Sequence, residues 1–450
     1  MKLLISAYAS APHHGSEHAV GWNWITEAHR LGHEVWALAS PAHRQAIEAA
    51  CRADPALAGI KWFFPQVRVW PLAEGRDAVW ERSHNLLWQM AALRLSRRLA
   101  QGVSFDAVHH LTWAGIRAPT FLGSLGVPLI IGPIGGGETS PPSLRRDLRL
   151  KARLTELIRD ISNATITLNP TVRGGLRKAA VIFVKTPETR ALLPRRWQDK
   201  TEQFAELTIR REQIGAPRGD RAAQPRLLFV GRLLYWKGAH LALQAFAQLR
   251  SHMPSARMTI IGRGPEEVRL KAQAAALGIA EDVAFIGWLP REQISEIYDT
   301  HDLMVFPSLH DSGGTVVLEA LGRGLPVMCL DLGGPRQIVT AASGVTIETG
   351  GRNAAEVARA MAAEMARLFA APALLRSLSA GAVARAMEFL VSTQVGKFYR
   401  TSSQLIGAKE ENTVFSEEGG SPPGKSQKTF VSPPVPTSPA MAGIGTLAQN

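Results

Sequence analysis

Arg226-Leu227-Leu228-Phe229-Val230-Gly231-Arg232-Leu233-Leu234-Tyr235-Trp236-Lys237-Gly238 is an apolar run ending in glycine, then a loop with an Arg and a Lys five residues apart, then a segment of helical period over 239–250. A short apolar run that passes through a glycine loop into a helix is the unit of a parallel sheet with crossover helices. The unit recurs downstream, with runs at 258–262, 283–287, 302–307 and 325–330 and helical stretches such as 266–277 between them. It recurs upstream at 2–8, 34–38, 107–110, 128–132 and 181–185, before charged, irregular sequence takes over at 193–224. The expected fold class is therefore α/β, two Rossmann-like domains in succession facing across a cleft. Ligands of open parallel sheets sit at the C-terminal strand ends, so the loops that follow strands should carry the functional residues.

The expected boundaries are a first domain over 1–192, a connection over 193–224, a second domain over 225–385, a last helix within 386–407 and a disordered tail over 408–450. That tail is rich in Gly, Ser and Pro and cannot form a core. It carries three Lys against four Glu, so the chain's net charge of +13 belongs to the folded part. A surface that basic suits phosphates, acidic polymers or anionic lipid. With 450 residues, 46% hydrophobic and 20% charged, the chain has globular composition, which excludes collagen, coiled coil and wholesale disorder. Two cysteines, Cys51 and Cys329, exclude a disulfide framework and a cysteine-rich zinc site and fit a reducing compartment. No apolar run approaches the roughly 20 residues of a membrane span. The first eleven residues have the look of a short signal peptide, but they continue directly into Pro12-His13-His14-Gly15, as a buried first strand runs into a loop. The expected location is cytoplasmic, including the inner face of the membrane.

Arg232 and Lys237 beside a helix N-terminus make a site for a diphosphate, because fixed cations and the backbone dipole both favour an anion there; solvated surface charges are the competing reading. In Pro307-Ser308-Leu309-His310-Asp311-Ser312-Gly313-Gly314-Thr315-Val316-Val317-Leu318-Glu319 a strand ends and two glycines open a helix. The free N–H groups from Gly313 onward could hold phosphate oxygens. Asp311 in the loop and Glu319 in the helix are acids eight residues apart, suited to the vicinal hydroxyls of a sugar or ribose. Gly262-x-Gly264 lacks the third glycine of a dinucleotide fingerprint, since position 267 is Glu. Glycine loops also follow the first and fourth runs, at Pro12-His13-His14-Gly15-Ser16-Glu17 and Gly132-Pro133-Ile134-Gly135-Gly136-Gly137-Glu138, where ligand approach and ordinary flexibility weigh equally.

His109 and His110 end a strand, where a histidine serves a sugar hydroxyl or is buried against backbone. His13, His14 and Glu17 lack a further ligand for a metal site, and no metal is expected. Residues 143–178 hold nine Arg or Lys against three acids, and 80–98 mix Trp80, Leu86, Leu87, Trp88 and Leu95 with Arg94, Arg97 and Arg98. Such helices lie on anionic membranes or are solvated outer faces with a buried stripe. No DNA or RNA module is visible, so nucleic acid is not an expected partner.

The series Gly231-Arg232 with Lys237-Gly238, Gly262-x-Gly264-Pro265, Phe285-Ile286-Gly287, Pro307-Ser308, Glu319-Ala320-Leu321, Gly324-Leu325-Pro326-Val327 and Gly333-Gly334 resembles, in order and spacing, the retaining glycosyltransferases of the GT-B fold called family 4. The resemblance covers nearly everything to about Ile406 and implies the GT-B fold, with a first domain on the acceptor side and a second that binds a nucleotide sugar. It implies a hexosyltransferase that is retaining and metal-independent, acting from a nucleotide diphosphate sugar on a glycan or lipid-linked acceptor, in cell-surface polysaccharide assembly. It needs no cofactor beyond that donor, and peripheral membrane association fits the acceptor. Glu319 is implied at the ribose, Asp311 at the donor hexose where Glu is usual, Arg232 and Lys237 at the diphosphate, and Ser312, Gly313, Gly314 and Thr315 along the same loop. Gly287 to Leu289 are implied at the nucleobase, Gly15 beside the diphosphate, and His110 or His109 at the family's histidine. The last helix is implied to return to the first domain. Two other readings are an epimerase of the same fold, which turns over without acceptor, and a silent sugar-nucleotide or glycan-binding protein.

Overall fold

The computed structural model describes residues 1–67, 78–219 and 224–417; the Trp80 side chain and the sequence after Glu417 lie outside the described residues. The strands of the first half are β1 (Lys2–Ser6), β2 (Glu34–Leu38), β3 (Lys61–Phe63), β4 (Ala107–His110), β5 (Leu129–Ile134), β6 (Ala179–Val184) and β7 (Thr201–Gln203). They form one parallel sheet in the order β3-β2-β1-β4-β5-β6-β7. The strands of the second half are β8 (Arg226–Val230), β9 (Arg257–Ile261), β10 (Val283–Ile286), β11 (Leu303–Phe306), β12 (Val327–Leu330) and β13 (Gly344–Ile347), in the order β10-β9-β8-β11-β12-β13. In both sheets the strand order reverses beside the first strand, between β1 and β4 and between β8 and β11. These reversals are the crevices where doubly wound folds bind ligands.

The inner strands are buried on both faces, as crossover helices require, which is why Leu303 to Phe306 and Val327 to Leu330 read as unbroken apolar runs. Strands β3, β7 and β13 escape that signal because each is an edge strand, paired on one side only and partly exposed. Thr201-Glu202-Gln203 carries no apolar residue, and β7 is held in the sheet by its register against Ile182 to Val184. The stretch read as irregular therefore extends the first sheet.

The last helix (Val391–Glu417) puts Val395, Phe398, Tyr399 and Ile406 into the core around β1 and Trp24 of the first domain. Just before it, Phe389 is buried with the second domain's core, and Ile209 and Leu390 form a short parallel bridge. The chain thus passes from the second core back to the first within ten residues of Phe389. Cys51 and Cys329 are free thiols. No described helix is long and apolar enough to cross a membrane.

Candidate active site

The loop after β8 leads through a turn at Tyr235–Lys237 into the helix Ala239–His252. Gly238 joins the two with φ +75°, and a Cβ there would lie 1.8 Å from the Pro307 carbonyl oxygen, so only glycine lets this turn press against the end of β11. That contact sets Lys237 beside the loop after β11, where its ammonium pairs with the Asp311 carboxylate, both side chains being mostly buried. Asp311 also accepts a hydrogen bond from the Gly313 N–H at 3.3 Å. Arg232 is exposed in the same β8 loop.

Gly314, at φ +111°, starts the helix Thr315–Gly322. Glu319 lies in that helix, and the hydroxyl of Tyr298, itself buried, reaches its Oε2 at 3.3 Å. Gly287 and Leu289 follow β10, and a Cβ on Gly287 would stand 3.0 Å from Arg263 Nε. The second domain therefore joins Lys237 to Asp311 and Gly313 across the loops after β8 and β11, with Arg232 in the β8 loop, Ser312 and Gly314 in the β11 loop, Thr315 and Glu319 on the helix that follows it, and Gly287 and Leu289 after β10.

Across the cleft, Glu138 ends the run of three glycines that follows β5. Its Oε2 accepts from Ser312 Oγ at 2.5 Å and from the Gly136 N–H at 3.0 Å, and its Oε1 accepts from Thr186 Oγ1 at 2.6 Å and Thr189 Oγ1 at 3.0 Å. Burial alone would raise its pKa, but the donors from Ser312, Thr186, its own backbone and Thr189 outweigh burial and hold the carboxyl below its usual range. Lys185, at the end of β6, pairs with Glu206 and feels the charges of Glu17 and Glu138. Burial lowers its pKa, and these carboxylates more than offset that. Glu17 in turn accepts from the Trp113 N–H. Gly15, at the start of the helix Ser16–Arg30, faces open space.

A second contact closes the cleft further out. Glu156, with its side chain fully buried on the helix Leu150–Ala164, bonds Tyr235 Oη at 2.7 Å, His310 Nε2 at 2.9 Å and the Ser140 N–H at 3.2 Å. Burial opposes its charge, but the contacts to His310, Tyr235 and Ser140 prevail and take its pKa down to about 2. The His310 ring lies flat against Trp236, with centroids 5.4 Å apart.

The two histidines of β4 point to opposite faces, as neighbours on a strand must. His109 is spent inside the protein: Nδ1 meets Tyr399 Oη at 2.9 Å, Nε2 meets the Gly132 carbonyl at 2.7 Å, and the ring stacks on Phe398. It is not brought to the cleft. Burial takes its pKa down to about 3 despite the Gly132 bond. His110 is also buried, in a small cavity lined by Gly115, Ile131 and Ile134, with neither ring nitrogen hydrogen-bonded and its pKa taken down to about 4 by burial. Gly115, in the same cavity lining, pairs with Gly135 of the glycine loop in a short parallel bridge.

Glu138 and Lys185 carry functional geometry that only their positions after strands hinted at. Glu156 gave no signal, because an acid in an Arg-rich helix reads as a solvated charge. A cavity of about 650 Å³ lined by Trp22, Thr26, Glu27, Arg30 and Arg210 contains none of these cleft residues; volume and chemistry disagree here, and the convergence of charged groups on the cleft decides for the latter. Among the described residues no group of three or more His, Cys, Asp or Glu could hold a metal ion.

Residues 211–367 match the model of the family described as glycosyl transferases group 1. Among similar proteins, a glycogen synthase of Mycobacterium tuberculosis is 36% identical over 137 residues, which are 29% of this chain and 33% of that protein. A D-inositol 3-phosphate glycosyltransferase of Thermobispora bispora is 34% identical over 189 residues, 40% of this chain and 42% of that one. The chain thus spans about a third to two fifths of the length of these relatives. Among solved structures, sucrose-phosphate synthase from Thermosynechococcus elongatus superposes with a TM-score of 0.59 at 17% identity, over 91% of this chain and 100% of that one. Anabaena HepE in complex with UDP superposes with a TM-score of 0.55 at 16% identity, over 90% of this chain and 100% of that one. Residues 211–367 are thus similar to the glycosyl transferases group 1 family, and the chain has the GT-B fold.

Proposed function

We propose that the protein is a retaining glycosyltransferase of family 4 that moves a hexose from a nucleotide diphosphate sugar to a glycan or lipid-linked acceptor in cell-surface polysaccharide assembly. The observation that carries the reading is the Lys237–Asp311 ion pair, which joins the loops after β8 and β11 where the strand order reverses. In this reading the second domain, 225–385, holds the donor, the first, 1–192, receives the acceptor, and the helix after 386 ties the two together. HepE, a neighbour in fold, has been solved with UDP and with UDP-glucose, which supports a donor of that class.

Breaking the anomeric bond leaves negative charge on the diphosphate and positive character on the sugar. Arg232, Lys237 and the N–H groups of Gly313 to Thr315 stabilise the leaving group, so the chemistry asks for no metal. Glu319, oriented by Tyr298, takes the ribose hydroxyls, and Asp311 takes the hexose. Gly287 to Leu289 border the nucleobase, and Gly15 approaches the diphosphate from the first domain. The departing phosphate takes the acceptor's proton on the same face, and no protein general base is assigned. His110, held neutral, is the histidine of the first domain nearest in role to a hydroxyl donor. The free thiols of Cys51 and Cys329 fit a cytoplasmic enzyme.

The test is thermal stabilisation by UDP, GDP and ADP and their hexose conjugates, in chelator, followed by turnover with acceptor. Stabilisation by one nucleotide and acceptor-dependent release of it are expected. Turnover of the nucleotide sugar without acceptor would make the chain an epimerase, and no stabilisation by any of them would overturn the donor site.

A further inference from the structure

The helix Leu150–Ala164 is amphipathic the wrong way round for a water-soluble surface. At about 100° per residue, Ala152, Glu156, Arg159 and Asn163 share one face, and Leu150, Leu154, Leu157, Ile158 and Ile161 share the opposite one. The first face points into the protein: Glu156 is bound to Tyr235 and His310, and Asn163 donates to the Gly137 carbonyl at 3.1 Å. The leucine and isoleucine face points outward, with exposures from 53% at Leu157 to 80% at Leu150. Leu168, 76% exposed, continues the apolar surface one turn beyond the helix. A contiguous apolar stripe about 17 Å long from Leu150 to Ile161 is far more than scattered surface leucines and marks a contact surface.

Charge selects what covers it. Lys151 borders the stripe on one side and Arg153 on the other, and Arg146, Arg149, Arg173 and Arg177 stand exposed nearby. Of the three acids in 143–178, Glu156 and Asp160 face Arg145, which leaves Asp147 against this set. A second copy of the chain would bring the same cations face to face in a symmetric contact, whereas an anionic bilayer satisfies both the leucines and the cations. We infer that the helix Leu150–Ala164 lies in the interface of an anionic membrane, its apolar face in the acyl boundary and Lys151 and Arg153 at the headgroups. Because Glu156 on the inner face grips Tyr235 and His310, the membrane lies against the rim of the cleft, where a lipid-linked acceptor would enter. The surface itself does not depend on the transfer reading, since vesicle binding needs neither donor nor acceptor.

The full chain is sedimented with vesicles of phosphatidylcholine alone and with vesicles of phosphatidylcholine and phosphatidylglycerol. Binding to the anionic vesicles, weakened by salt, is expected. The double substitution Leu154→Glu with Leu157→Glu should weaken it roughly tenfold or more, since both residues lose their place in the acyl boundary. Lys151→Gln with Arg153→Gln should lower binding to anionic vesicles and reduce its salt dependence. Unchanged thermal unfolding shows that both variants fold. Wild-type protein that stays in solution with anionic vesicles overturns the proposal, as does equal sedimentation of the leucine variant. A dimer on size exclusion that the leucine variant dissolves, without vesicle binding, would assign the stripe to a second copy and overturn it as well.

Discussion

Ser312 Oγ, on the loop after β11, donates to Glu138 Oε2 across the cleft at 2.5 Å, while the Gly136 N–H bonds both partners at 3.0 Å. The triangle ties the glycine loop of the first domain to the loop that carries Asp311. A hydrogen bond to a buried carboxylate contributes about 1.5–3 kcal/mol, so Ser312→Ala should lower folding stability by up to that amount and, by loosening the loop that carries Asp311, raise the donor KM. Glu138→Ala should lower the melting temperature by more than Ser312→Ala does, because it also leaves Thr186 and Thr189 without their buried acceptor. Equal melting temperatures for the two variants would show that the carboxylate is not the organising group.

Lys237 and Asp311 form one ion pair but are assigned different parts of the donor, the diphosphate and the hexose, so substitutions should separate them. Lys237→Ala removes the cation at the diphosphate and should cost transfer about 100-fold or more and weaken nucleotide diphosphate binding. Glu319→Ala should likewise abolish transfer with folding intact. Asp311→Asn leaves the ammonium its full charge, so the nucleotide diphosphate should bind at least as tightly as before while hexosyl transfer falls. Calorimetric titration with the stabilising nucleotide, beside steady-state turnover, reads both quantities; loss of nucleotide binding in Asp311→Asn would contradict the division of labour.

The inner strands were legible because each is buried on both faces, so Leu303 to Phe306 had to be apolar throughout. The edge strand Thr201–Gln203 was not, since its place depends on pairing with β6 rather than on its own residues. Within the site, Arg232, Lys237 and Asp311 stood out because they follow strands, and Glu319 because it lies in the helix that the glycines after β11 open, all within a single half of the chain. Glu138 and Ser312 are 174 residues apart, and no local pattern announces a bond between them. The choice between the two readings of His109 was not legible for a related reason: its partner Tyr399 arrives from the last helix, 290 residues on.

Glu156 holds the two domains at the outer edge of the cleft, and its loss should be felt there first. Glu156→Ala strands Tyr235 Oη, His310 and the Ser140 N–H and should cost about 3 kcal/mol or more. The carboxyl is held down to about 2 against an ordinary 4.5, so its contribution is complete above pH 4.5 and fades as pH falls towards 2. Small-angle scattering should show a larger radius of gyration for Glu156→Ala at neutral pH, and for the wild type only in strong acid. An unaltered radius in the variant would remove Glu156 from the closure.

His109 makes the same demand on pH in a different charge state, because it must stay unprotonated, and so neutral, in its place between Tyr399 and the Gly132 carbonyl. Its pKa is taken from 6.5 down to about 3, chiefly by burial. Unfolded, the imidazole binds a proton below 6.5; folded, it does not until far lower. Between those values the unfolded state holds the extra proton, so stability falls with pH by about 1.4 kcal/mol per unit for this group. His43, His110 and His240, each taken down to about 4, add to the same slope. His109→Gln keeps a donor for the Gly132 carbonyl but cannot titrate, so its unfolding free energy should lie below the wild type's at pH 7 and decline less steeply from pH 6.5 to 4.5. Denaturant unfolding at several pH values measures both slopes, and parallel lines would mean that His109 takes up its proton in the folded chain after all.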